Sequence, residues 1–204
     1  MKSSCLRPLV ALLLVAGLAA CGGKASYDVS GTISGLNNNG LVLANGSDTV
    51  SPSAGATSFT FPKRIDYGTD YDITVKTPPA HMNCSVSGGT GSAGHYVSID
   101  AFVTCQQNVY AVGGTVTGLT VDGLVLANGS DANVLTLAKS TTTPGTFTMP
   151  GLVADGSSYT INVATNPAGL ACSIDTDPAT GLSTGVGTMG EAAVTKVKVT
   201  CKPA

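Results

Sequence analysis

The stretch GLVLANGSD occurs twice without change, from Gly40 to Asp48 and again from Gly123 to Asp131. In each copy an apolar Leu-Val-Leu run leads into Asn-Gly, the pattern of a strand entering a tight turn, because both turn residues accept positive φ. The same residues could instead form a binding loop, with Asn45 and Asp48, or Asn128 and Asp131, holding an ion or a sugar. Turn chemistry alone accounts for them, so the nonapeptide is read as the mark of a duplicated fold.

The identity extends outward. YDVSGTISGLNNNGLVLANGSD from Tyr27 matches YAVGGTVTGLTVDGLVLANGSD from Tyr110, at an offset of 83. FTFP at Phe59 then meets FTMP at Phe147, GTDYDITV at Gly68 meets GSSYTINV at Gly156, and Cys84 meets Cys172, all at an offset of 88. Cys105 and Cys201 differ by 96. The offset grows only in polar, Gly- or Thr-rich stretches, where loops tolerate insertion. The chain is therefore a tandem duplication.

Within one copy, seven short segments alternate apolar and polar residues between Gly, Pro, Asn or Ser. They are 27–34, 40–44, 48–51, 58–61, 70–77, 83–87 and 96–105. This pattern predicts strands, and seven of them with regular turn signals predict an antiparallel sandwich. Low charge (11%) and 26 glycines suit turns and strands better than helices, whose wet faces want Glu, Lys, Gln and Arg. The expected fold class is all-β, two tandem immunoglobulin-like antiparallel β-sandwiches.

The chain opens with Lys2 and Arg7, then an apolar run from Leu9 to Ala20 that is too short to cross roughly 30 Å of hydrocarbon as a helix. This is the pattern of a secretory signal. Leu18-Ala19-Ala20-Cys21 resembles the lipobox of bacterial lipoproteins. The resemblance implies that Cys21 is acylated and becomes the N-terminus, and Gly22 in place of Asp implies the outer membrane. The expected parts are a signal peptide over 1–20, a lipidated tether over 21–26, repeat 1 over 27–105, a linker over 106–109 and repeat 2 over 110–204.

The signal removes two of ten basic residues and leaves eight against twelve acids, a net charge of −4. A weakly acidic chain without a basic run has no means of holding phosphates, which argues against nucleic acid as a partner. Of six cysteines, Cys5 leaves with the signal and Cys21 takes the lipid. The remaining four, Cys84, Cys105, Cys172 and Cys201, suit disulfides in an exported chain. Four cysteines allow three pairings. Because each copy holds one early and one late cysteine, the economical choice is Cys84 with Cys105 and Cys172 with Cys201. At period two these sulfurs share the apolar face with Val97, Ile99 and Val103 in one copy and with Val197 and Val199 in the other.

Gly68, Tyr71, Ile73 and Val75, like Gly156, Tyr159, Ile161 and Val163, resemble the tyrosine-corner strand of fibronectin type III and prealbumin-like domains. Over a whole copy, the order of motifs is similar to tandem repeats of bacterial lipoproteins and large surface proteins. That likeness implies an immunoglobulin-like sandwich at the cell surface and transfers no catalytic residue.

Nothing in the sequence assembles a catalytic set. His81 aligns with Gly169, His95 lies in a variable Gly-rich stretch, and both are read as surface-loop residues without a nucleophile in register. Cysteine spacing does not fit zinc, and no cofactor is expected. Asp66, Asp70 and Asp72, and the Asp175-x-Asp177 pair, lack the oxygen set of a calcium loop and are assigned to turn caps and solvated strand edges. The expected role is a non-catalytic, lipid-anchored surface or envelope lipoprotein acting as a structural or adhesive module. Its partners would be the membrane and an envelope protein or glycan. The alternative is a carbohydrate- or peptide-binding envelope protein using loop tips, with Asp175 and Asp177 as ligands.

Overall fold

A computed structural model describes residues 24–96, 98–129 and 134–204. The signal segment, Cys21, Val97 and Asp131 lie outside the described residues.

The first copy contains β1 (Ser26–Tyr27), β2 (Val29–Ser34), β3 (Val42–Asn45), β4 (Asp48–Val50), β5 (Ser58–Thr60), β6 (Ile65–Asp66), β7 (Asp70–Thr77), β8 (Met82–Ser87), β9 (Thr90–Ser92) and β10 (Ile99–Gln107). The second contains β11 (Val109–Thr117), β12 (Leu124–Asn128), β13 (Leu135–Leu137), β14 (Gly145–Ala154), β15 (Ser158–Thr165), β16 (Leu170–Ile174), β17 (Val186–Thr188) and β18 (Val194–Pro203). Each copy folds into two four-stranded sheets. In the first these are β5-β2-β10-β8 and β4-β3-β7-β9; in the second, β14-β11-β18-β16 and β13-β12-β15-β17. The protein is all-β among the described residues, as its alternating pattern predicts.

Two separate apolar cores result. Leu41 and Leu43 of the first nonapeptide, and Leu124 and Leu126 of the second, are fully buried between sheets. Each contributes about 1.5–3 kcal/mol relative to exposure. The turn after them is a two-residue hairpin in the first copy: Asn45 pairs with Asp48, and Gly46 takes φ +58° ahead of Ser47. Glycine first in a two-residue loop matches the twist of the flanking strands.

One pair of strands per sandwich is parallel. β10 runs alongside β2 from Ile99↔Val29 to Thr104↔Ser34, and β18 runs alongside β11. All other strand pairings among the described residues are antiparallel. Because the first long strand and the last point the same way, the chain enters each sandwich at one end and leaves at the other. β10 ends at Gln107 and β11 starts at Val109, so only Asn108 separates them and the second sandwich continues where the first stops.

The bridges join Cys84 to Cys105 and Cys172 to Cys201. In both copies the partners face each other directly across neighbouring antiparallel strands, with Cα atoms 4.1 and 3.9 Å apart. The bridges therefore lie within a sheet and staple the edge strands β8 and β16 to β10 and β18. The predicted phase holds where it is described: Ile99, Val103, Cys105, Val197, Val199 and Cys201 are buried, while Lys196 and Lys198 are exposed.

β9 and β17 were hidden by their glycines. The glycines break the alternating pattern, and β9 is not among the seven segments expected in a copy, yet Gly91 pairs with Tyr71 and Gly187 with Tyr159. A Cβ at either glycine would sit 2.5 or 2.6 Å from the tyrosine oxygen, so the ring fills the place of the missing side chain. β9 also places Asp70 and Asp72. β9 pairs with Asp70 to Asp72 at the start of β7 and β3 with Ile73 to Thr77 beyond them, so the exposed Asp70 and Asp72 lie along a strand edge that is paired on the β9 side and open on the other.

Candidate functional site at the domain junction

The end of the first sandwich and the start of the second are tied by backbone and side-chain bonds around Asn108. The amide of Asn108 donates to the carbonyl of His81 (2.9 Å), and the amide of Asp155 donates to the carbonyl of Asn108 (2.9 Å). Gln107 Nε2 donates to the Asp155 carbonyl (3.0 Å), and Asn38 Nδ2 reaches the Ala80 carbonyl (2.7 Å) and Gln107 Oε1 (3.4 Å). Across this joint His81 Nδ1 lies 3.0 Å from Asp155 Oδ1. Asp155 is only 4% exposed, and its Oδ2 is buried without a partner among the described residues. Taking a carboxylate out of water is costly unless a donor faces it, and His81 is that donor.

His81 pays for the position in backbone conformation, with φ +62°. Gly169, its counterpart in the second copy, has φ +73°. His81 is exposed in a turn, as its reading as a surface-loop residue expects; what the sequence does not show is its partner. Only three-dimensional stacking brings it to Asp155, 74 residues away. His95 is exposed on a loop of the first sandwich, as expected.

The hydrogen bonds show which ends of the two copies correspond. Asp155 N to Asn108 O (2.9 Å) has the counterpart Tyr67 N to Ala25 O (2.8 Å), and Gly156 N to Met189 O (2.9 Å) has Gly68 N to Ala93 O (2.8 Å). Asn108 N to His81 O has Ala204 N to Gly169 O (3.1 Å). The backbone frame is repeated, whereas the His81–Asp155 pair is laid over it.

The other candidate residues serve their own loops. Asp175 Oδ2 accepts from Thr200 Oγ1 (2.9 Å), and its carbonyl accepts from the amide (2.9 Å) and hydroxyl (3.0 Å) of Thr184. Asp177 Oδ1 caps the amide of Ala179 (2.9 Å). The pair thus closes the 175–184 loop onto β18. Asn45 Oδ1 accepts from Asp72 N (3.0 Å), Asn128 Oδ1 from Thr160 N (2.8 Å) and Asp48 Oδ2 from Lys63 N (3.1 Å). The nonapeptide asparagines therefore clip one strand to the next. Among the described residues, no three His, Cys, Asp or Glu side chains gather where they could hold a metal ion. Burial pushes the Tyr159 hydroxyl above the usual tyrosine range.

No family model matches the chain, and no curated protein matches it. The structure of the major pilin protein (T-13) from Streptococcus pyogenes is similar over 89% of this chain and 98% of that one, at 11% identity and a TM-score of 0.30. At that level the likeness carries no argument.

Proposed function

We propose that this protein is a lipid-anchored, non-catalytic surface or envelope lipoprotein whose two sandwiches form a stiff spacer that presents its outer end to a partner. One observation carries this reading. The parallel first-to-last strand pairing sends the chain in at one end of each sandwich and out at the other, and the bonds around Asn108 lock the second onto the first. Such a joint resists bending because the hydrogen bonds that Gln107 and His81 make to Asp155 form only in one alignment. The lipobox-like Leu18–Cys21 supplies the anchor in this reading, at the outer membrane or cell surface.

Spin labels carried by non-natural residues at the exposed positions 76 and 196 test the spacer. A single narrow distance distribution is expected, broadening when Asp155→Ala is introduced. A broad distribution in the unaltered protein would remove the basis for the proposal. For the anchor, the Cys21→Ser protein is expected in the soluble fraction and the unaltered protein in membranes, labelled by palmitate.

A further inference from the structure

The junction shows what the leading end of each sandwich is built to do. In the second copy that end, carrying Asp155 and Gly156, lies against the first sandwich. In the first copy the corresponding end carries Tyr67 and Gly68, and the residue bonded to it is Ala25, where the tether enters, in place of Asn108. The same end has been re-surfaced. Where the second copy has Asp155, Glu191 and Ala192, the first has Tyr67, His95 and Tyr96. Tyr67 is 65% exposed and Tyr96 is 76% exposed, both large rings left in solvent. The Tyr67 ring packs against Gly94, leaving no room there for a Cβ, and Gly68, Ser92, Ala93, Gly94 and His95 complete a shallow, open depression beside it.

Three features favour one occupant. Amphipathic tyrosine rings are the side chains that settle at the headgroup level of a bilayer. Lys24, exposed at the foot of the tether, adds a cation where anionic headgroups would lie. The chain length leaves little choice of distance: three residues, and so four steps of the chain, separate Cys21 from Ala25, a reach of at most ~14 Å. Tyr67 is hydrogen-bonded to Ala25, so an acyl chain on Cys21 would draw this end down to the headgroups.

We infer that the end of the first sandwich bearing Tyr67, His95 and Tyr96 rests on the headgroup layer of the anchoring bilayer, taking the membrane as its neighbour as the second sandwich takes the first. This deepens the lipid-anchor reading above and rests on it. The bilayer then sets the orientation of the spacer through contact at its base, in addition to holding the chain by its lipid.

The chain contains no tryptophan, so a single one reports without background. The lipidated full chain carrying Tyr96→Trp is reconstituted into vesicles of phosphatidylethanolamine and phosphatidylglycerol whose acyl chains are brominated just below the headgroups. A second reporter, His95→Trp, occupies the same end, and Leu182→Trp, at a 69% exposed position of the second sandwich, is the control. Quenching and a blue shift of both base reporters, with none for the control, are expected, and Tyr67→Ser in the Tyr96→Trp background should weaken the quenching. If the protein floats with the vesicles but the base reporters match the control, the inference is overturned while the anchor stands. Crosslinks between copies through the base, with no quenching, overturn it in favour of self-association. Failure to float removes the anchor and the inference together.

Discussion

His81 Nδ1 and Asp155 Oδ1 meet at 3.0 Å across the joint between two sandwiches, at positions where the duplicated frame elsewhere carries Gly169 and Tyr67. The pair is therefore specific to this joint. Replacing His81 leaves a nearly buried carboxylate without its donor, which costs about 1–3 kcal/mol, toward the low end because the imidazole is half-exposed and solvent screens the pair. His81→Gly should lose less than His81→Ala, by about 1 kcal/mol, because glycine takes the left-handed backbone without strain. In urea unfolding, the His81→Ala/Asp155→Ala double variant is expected to be less destabilised than the sum of its singles. Strict additivity would show that the two side chains do not couple.

Gly187 and Gly91 make matched positions with unequal surroundings. Tyr159 over Gly187 is 2% exposed, whereas Tyr71 over Gly91 is only partly buried. A methyl group added under a ring that cannot move overpacks the core, at a typical cost of about 1–3 kcal/mol. Gly187→Ala is expected to destabilise its sandwich more than Gly91→Ala does, as read from thermal unfolding of each variant. Equal losses would mean that the ring's freedom is not what separates them.

Burial holds the Tyr159 hydroxyl in its neutral form, so its pKa in the folded state lies above the usual value near 10. Below that usual value the folded and unfolded chains bind this proton alike. As pH rises past it, the unfolded chain releases the proton first and stability falls until the folded pKa is passed. Tyr159→Phe should flatten this alkaline loss in a denaturation series taken above pH ~10. An unchanged alkaline slope would assign the loss to other groups.

What could be read from the chain and what could not follow from range of interaction. Strands with alternating Val, Ile and Leu announced themselves, and the nonapeptide's strand-then-turn form came from Leu41, Leu43 and Gly46 alone. β9 and β17 did not, because Gly91 and Gly187 are strand residues only by virtue of a tyrosine some 20 to 30 residues earlier in the chain. The parallel pairing of β2 with β10 was equally illegible, since period-two patterning fixes which face a residue takes and says nothing of strand direction. The junction is the extreme case. A lone His81 and a lone Asp155 carry no local signal, and their meaning appears only when two folded units are stacked.

The two bridges offer a matched comparison of staples within a sheet. Each ties an edge strand to its one neighbour in the sheet, so cutting it leaves β8 or β16 held by backbone pairing and side-chain packing alone. The closed loops span sequence separations of 21 and 29, for which the chain-entropy account gives about 3–4 kcal/mol each. The variants Cys84→Ala/Cys105→Ala and Cys172→Ala/Cys201→Ala should therefore lose similar stability. Each should lower the unfolding midpoint of its own sandwich, with the other affected only through the His81–Asp155 joint. A non-reduced peptide map of the unaltered protein should contain one bridge per copy. A loss confined to one variant would show that only one staple carries tension from the unfolded chain. A broad loss of both sandwiches from either variant would show instead that the two copies fold as a single unit, coupled more tightly than one histidine and one aspartate can explain.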